Sequence, residues 1–134
     1  MINLNIDGQI KKYAVEDQSG GIRLSDIAKD FETDHSGYIS LAVVNNELKE
    51  LTTYINEDSS IKFLDTKTPD GLRVYTRTLN LVFIMACKCL FKDSRVVIEH
   101  SLSEGVYCEI HLDRELTDED ISNINKNTLF FTKF

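Results

Sequence analysis

Histidines, cysteines and a few basic pairs are the residues through which this chain could do chemistry. His100 and His111 flank a hairpin, with Glu99, Cys108 and Glu109 nearby. Alternation along an extended strand puts Glu109 and His111 on one face, with Cys108 and Ile110 on the other. A metal there would need ligands converging from elsewhere, so a polar, solvated strand face is the simpler reading. His35, beside Asp34, reads as a surface histidine in a loop. Cys87 and Cys89 stand two apart on a helix, point in different directions and cannot chelate together. With Cys108 they read as small, reduced core residues. The acidic run Glu115 to Asp120 is explained by a helix start, where negative charge meets the positive end of the helix dipole. The basic clusters able to meet a phosphate are Lys11 and Lys12 with Tyr13, and Arg73 with Arg77 on one helical face. No Gly-x-x-x-x-Gly-Lys-Ser/Thr occurs, so no loop of that kind offers backbone amides to a nucleotide's phosphates. From these residues no catalytic group, metal site or cofactor is expected in this chain.

The chain has 134 residues, 42% of them hydrophobic, with one proline and six glycines, which fits a compact domain or two small ones sharing an interface. Its net charge of −7 works against a phosphate-backbone binder that relies on charge alone. The charge is uneven. Residues 1–66 hold six Lys and Arg against twelve Asp and Glu, whereas residues 67–134 hold nine against ten, so the second half is the better place for RNA or a nucleotide. The longest apolar run, Leu79 to Phe91, carries Lys88 and is too short to span a bilayer. No signal-peptide pattern opens the sequence. A cytoplasmic protein with no membrane partner is expected.

The elements that must position these residues follow from pattern. Ile2–Ile6 and Ile10–Val15 alternate around Asp7-Gly8, a hairpin signature. A loop at Gln18–Gly21 precedes a short amphipathic helix marked by Leu24, Ile27, Ala28 and Phe31, with Ser25 or Asp26 available near its start. Tyr38–Val44 is rich in strand formers, Asn45-Asn46 is a turn before Glu47–Leu51, and Tyr54-Ile55 and Ile61–Leu64 are further strands. Thr68 to Phe91 then predicts one long helix, with proline in its first turn. Leu72, Tyr75, Leu79, Val82, Phe83, Ala86 and Leu90 recur at helical spacing. Val74, Leu81, Ile84 and Met85 widen that face, so the helix is expected to be mostly buried. Arg95–Ile98, a turn at Ser103-Glu104-Gly105, and Val106–Leu112 make a second hairpin. Thr117 precedes a last helix over Asp118–Lys126, anchored by Ile121 and Ile124. The tail, Leu129–Phe134, is apolar enough to suggest the front part of a longer protein.

The order of hairpin, helix and small mixed sheet is that of the ubiquitin-like grasp. Through NIDGQIKKY, LSDIAKDF, ISLAVVNNELKELTTYI and EDSSIKFLD, residues 1–65 resemble a TGS domain, the module at the N-terminus of threonyl-tRNA synthetases. Residues 66–134, through GLRVYTRTLNLVFIMACKCLF and VVIEHSLSEGVYCEIHLDRELTDEDI, resemble the start of the editing domain that follows it there. That family's editing centre uses a His-x-x-x-His pair on the long helix, and alignment through Gly71 and Leu90-Phe91 puts those two places at Leu81 and Met85. Neither side chain can hold a metal or move a proton, so the resemblance implies no editing by this chain. TGS followed by an editing-like domain without its histidines is similar to the N-terminal region of bacterial uridine kinase and nucleoside kinase family proteins, in which a kinase domain follows.

The expected fold class is α+β: a grasp-type domain over 1–65, then a long helix, hairpin and short helix over 66–134. The resemblance implies a non-catalytic regulatory or ligand-binding region, with nucleotide or tRNA-like RNA and a downstream kinase domain as partners. Two alternatives stand beside it: an RNA-binding module related to threonyl-tRNA synthetase, and an assembly module whose partner is another copy of the chain. Lys11, Lys12, Tyr13, Arg73 and Arg77 are the candidate ligand-binding residues.

Overall fold

The computed structural model describes residues 1–15, 20–102 and 105–132, the side chains of 102, 130 and 131 excepted. Gln18 and Ser19 of the predicted loop, Ser103 and Glu104 of the predicted turn, and Lys133 and Phe134 of the tail lie outside the described residues. The chain divides into two compact units, Met1–Tyr75 and Thr76–Phe134.

In the first unit, β1 (Ile2–Ile6) and β2 (Gln9–Tyr13) form the predicted hairpin. Its turn puts Asp7 at φ 47° and Gly8 at φ 89°, the left-handed pair that a two-residue hairpin requires. A two-residue strand β3 (Ile22–Arg23) leads into α1 (Leu24–Ala28), which tightens into a 3-10 turn over Lys29–Asp34. Neither Ser25 nor Asp26 caps α1. Arg23 occupies the cap position without a side-chain hydrogen bond, and Asp26 instead accepts from Lys29 Nζ at 2.9 Å. Then come β4 (Ile39–Val44), β5 (Glu47–Glu50), β6 (Tyr54–Ile55) and β7 (Ser59–Asp65). Asn45 and Asn46, at φ 49° and 69°, make the turn between β4 and β5.

The sheet runs in the order β2-β1-β7-β4-β5. β1 and β7 pair in parallel while the other neighbours are antiparallel, and β3 pairs separately with β6. Strict alternation buries Ile2, Leu4 and Ile6 on one face of β1. They meet Leu24, Ile27 and Phe31 from the helical segment and Ile61 and Phe63 from β7, with the Phe31 and Phe63 rings 6.0 Å apart. Strands and helices together are compatible with an α+β class.

The long helix α2 spans Pro69–Leu90. Thr68 Oγ1 accepts from the Gly71 N–H at 3.2 Å, the hydroxyl cap its position before proline suggests. In the second unit follow β8 (Arg95–Leu102) and β9 (Gly105–His111), paired antiparallel with an irregularity between Ile98 and His100, and then α3 (Asp118–Phe131). Thr117 and Asp120 cap α3 reciprocally: the Asp120 N–H donates to Thr117 Oγ1 and the Thr117 N–H donates to Asp120 Oδ2. α3 is longer than its two isoleucine anchors imply.

One expectation is overturned. The apolar count of α2 predicts a mostly buried helix, yet Leu72, Leu81, Met85 and Leu90 are exposed, and Ala86 and Cys87 are its buried residues in the second unit. The reason is one of supply. Among the described residues that unit contributes one two-stranded ribbon and one helix, too little surface to enclose a helix on every side. No described helix is long and apolar enough to cross a membrane.

Three measurements check this architecture. A Cβ at Gly71 would fall on the Asp65 backbone carbonyl. Gly71→Ala, which stabilises an ordinary helix interior by about 1 kcal/mol, is therefore expected here to destabilise by about 1–3 kcal/mol in urea unfolding. Leu4→Ala, at a fully buried site, is expected to cost about 2–5 kcal/mol. Asp65 gives a pH test. Hydrogen bonds from the Lys67 and Gly37 N–H groups and the nearby His35 hold its carboxyl below the ordinary aspartate value. A lowered folded value means stability present above the unfolded value of about 4 and lost as pH falls through the folded one. The stability gap between the native chain and Asp65→Asn is thus expected to be full at pH 6 and to shrink below pH 4.

Candidate functional site

The cluster Lys11, Lys12 and Tyr13 is divided by strand geometry. Register places Lys11 opposite Leu4 and Tyr13 opposite Ile2, so both share the face that carries the buried side chains of β1. Lys11 Nζ sits 4.1 Å above the Phe31 ring, a cation held by the ring's negative face. The Tyr13 hydroxyl donates to Asp30 Oδ2 at 3.0 Å. Burial, with the hydrogen bond and charge of Asp30, pushes the phenol up to about 12. Lys12 alternates to the other face and is exposed. Of the three, Lys12 is the one whose head group is left for a phosphate.

Arg73 and Arg77 stand four residues apart on α2 and both are exposed. Arg73 Nη2 lies 3.4 Å from Asp70 Oδ1, an exposed pair of small energetic weight. Arg77 has no ion-pair partner among the described residues. Leu81 and Met85 continue the same spacing, exposed and apolar.

The histidines and cysteines are placed less simply than their neighbours in sequence suggest. His35 is not a free surface side chain: it is 16% exposed, with Nε2 3.7 Å from Asp7 Oδ2 and Nδ1 3.4 Å from Asp65 Oδ2. No local signal reveals this, because its two carboxylates lie in distant stretches of chain. His111 Nε2 lies 3.0 Å from Glu109 Oε2, on the shared face that alternation predicts, and the His100 ring is 5.5 Å from the Tyr107 ring. Among the described residues no group of three or more His, Cys, Asp or Glu is arranged to hold a metal. Cys87 is buried, and that burial pushes its thiol up to about 11. Cys89 is exposed, which corrects its reading as a core residue. Neighbours on a helix differ by about a hundred degrees of rotation per residue, so two cysteines two apart seldom share an environment.

Two grooves went unseen in the sequence. One, of about 410 Å³, lies in the first unit between Asn45, Glu47, Lys49, Tyr54, Asn56 and Glu57. The other, of about 390 Å³, lies in the second unit between Phe91, Lys92, Ser94, His111, Asp113 and Arg114. Arg114 at its rim is committed: its Nη1 and Nη2 donate to Asp120 at 2.6 and 3.0 Å, and its guanidinium lies 5.8 Å from the centre of the Phe91 ring. That pairing, with the Thr117 N–H, holds the Asp120 carboxyl well below the usual carboxylate range. In the first unit Tyr38, largely exposed, stacks on Tyr75 with centroids 5.8 Å apart and ring planes within 2°.

No protein-family model matches this chain. It is similar to threonine–tRNA ligase. The ligases of Rickettsia bellii strains OSU 85-389 and RML369-C are each 28% identical to it over 125 residues, which is 92% of this chain and 19% of the ligase. The chain therefore spans 19% of the length of the relatives it matches.

The state of Tyr13 is open to direct titration. Following tyrosinate absorbance, one phenol is expected to ionise late, near 12, and Tyr13→Phe is expected to remove that late step. A raised folded value means the contribution is present below the unfolded value of about 10 and is lost as pH climbs toward 12.

Proposed function

We propose that this chain is a non-catalytic RNA-binding region of the threonyl-tRNA synthetase type, a TGS-like grasp domain followed by an editing-like segment, and that its ligand is tRNA-like RNA. The observation that carries the reading is the similarity to threonine–tRNA ligase, a protein whose name says it acts on tRNA, across 92% of the chain. The first unit agrees in outline: a hairpin, one helix across a mixed sheet, and a parallel pair between the first and last strands. The resemblance of the second half to uridine kinases has no support from either relative, so a kinase partner domain is not part of this proposal.

The chemistry assigned here is recognition without turnover. Leucine and methionine side chains at 81 and 85 neither bind a hard cation nor carry a titrating proton. Arg77, Lys12 and the flanking Arg73 supply the positive charge that a phosphate backbone needs. The acidic first half repels the same backbone, which restricts contact to those points instead of the whole surface.

A fluorescently labelled tRNA transcript, titrated with the full chain at several salt concentrations, tests the reading. Affinity is expected to fall as salt rises. Arg73→Gln with Arg77→Gln is expected to lower the slope of log K against log salt by about 1 for each phosphate that the arginines neutralise. Binding that is absent at low salt, or indifferent to salt, overturns it.

A further inference from the structure

Tyr38 is 73% exposed, yet its position is fixed from two sides. Its N–H donates to Thr66 Oγ1 at 3.2 Å, and its carbonyl accepts from the Thr66 N–H at 3.0 Å. Its ring lies against that of Tyr75, with centroids 5.8 Å apart and planes within 2°. Parallel rings at that separation form the offset stack that aromatic quadrupoles favour. Helical spacing explains why Tyr75 is there. Gly71 and Tyr75 stand four apart and share a face of α2, and at Gly71 that face meets the Asp65 backbone and Ser40 Oγ. Tyr75 carries the same face one turn further, to Tyr38. A ring ordered in advance by its backbone and by a second ring gives up little freedom when a ligand arrives.

The stack covers one face of Tyr38, and an exposure of 73% leaves the other open. The charge beside it is also open. Lys67 follows Thr66 directly, is exposed and has no ion-pair partner among the described residues. The neighbouring acids are occupied: Asp65 is buried and accepts from the Lys67 and Gly37 N–H groups, and Asp70 lies against Arg73. A flat open ring with a free cation close by fits a ligand that joins a planar aromatic group to an anion. A nucleotide is such a ligand, and a proline-rich peptide, which lacks the anion, is not.

We propose that the open face of Tyr38 is a stacking site for one unpaired base of an RNA strand, with Lys67 on that nucleotide's phosphate. This rests on the RNA-binding reading above and adds the seat of a base to its phosphate contacts. The base must be unpaired, because a base inside a duplex has its faces covered by its neighbours. Every base has a π face, so the site is expected to be tolerant of sequence.

A short single-stranded RNA carrying 2-aminopurine, titrated with the full chain, tests the site, because stacking on a ring quenches that base. Quenching is expected with the single strand and is expected to be lost when the same probe is paired to its complement. Tyr38→Leu is expected to weaken binding about tenfold without changing the salt slope, and Tyr38→Trp to retain it. Lys67→Gln is expected to lower the slope by about 0.7, the share of one phosphate on a single strand. Both positions are exposed, so circular dichroism is expected to be the same in all variants. A single strand that is not quenched, or one that Tyr38→Leu binds as tightly as the native chain, overturns the proposal. So do Tyr38 ring signals that shift with a proline-rich peptide and not with the RNA. Salt-dependent tRNA binding that ignores Tyr38→Leu overturns this site alone and leaves the RNA-binding reading standing. Tyr38-dependent quenching in a chain that does not bind tRNA supports the site and removes tRNA-like RNA as the ligand.

Discussion

The corner built on Asp65 is the constraint on which the first unit depends. Its backbone carbonyl accepts from the Thr68 N–H at 3.0 Å and from Thr68 Oγ1 at 2.8 Å, which sets the first turn of α2. Its carboxylate accepts from the Lys67 N–H at 2.9 Å and the Gly37 N–H at 3.3 Å, and faces His35 Nδ1 at 3.4 Å. One buried residue therefore joins the end of β7, the loop before β4 and the entry to α2. Burying a carboxylate is costly unless its oxygens are hydrogen-bonded, so these donors are conditions of the fold. Two glycines follow from the same crowding: a Cβ at Gly37 would press on Thr66 Oγ1, and one at Gly71 on the Asp65 carbonyl. The backbone of α2 comes this close because Ser40 Oγ donates to the Gly71 carbonyl at 2.8 Å, tying the helix to β4 from the other side.

What the sequence made legible is what local chemistry decides. Asp7-Gly8 and Asn45-Asn46 are turns because these residues tolerate the left-handed backbone that tight hairpins need. Ile2, Leu4 and Ile6 announce a half-buried strand by alternation alone. Partnerships between distant segments were not legible. Ile22-Arg23 is a strand only because Tyr54-Ile55 lies beside it, and His35 is held by two carboxylates that no spacing rule connects to it. The apolar count of α2 overstates its burial for a related reason: the number of apolar residues says how much surface would gain from cover, not how much cover the remaining chain provides. The extension of α3 through Thr128 and Leu129 was hidden because its apolar residues there make a continuous run instead of a helical period.

The candidate basic residues differ in what already holds their charge. Among the described residues four cations have a carboxylate within ion-pair distance: Lys29 with Asp26, Lys49 with Glu47, Arg73 with Asp70, and Arg114 with Asp120. Lys11 instead spends its charge on the Phe31 ring. The exposed pairs contribute little to stability, yet each lowers the field available to an incoming phosphate. Lys12 and Arg77 have neither an ion pair nor a ring contact among the described residues, which separates them from Lys11 and Arg73.

What a helical backbone offers at 81 and 85 depends on the side chains it carries there. Two imidazoles at i and i+4 on a helix would share one face and hold a metal or a proton between them. Two apolar side chains at the same spacing instead present a continuous hydrophobic strip that gains from exclusion of water. A helical backbone accepts either pair, since leucine and methionine are at least as good in a helix as histidine. A helix of this geometry can display either pair, and at 81 and 85 it displays an exposed apolar one, whose gain comes from exclusion of water and not from bond chemistry.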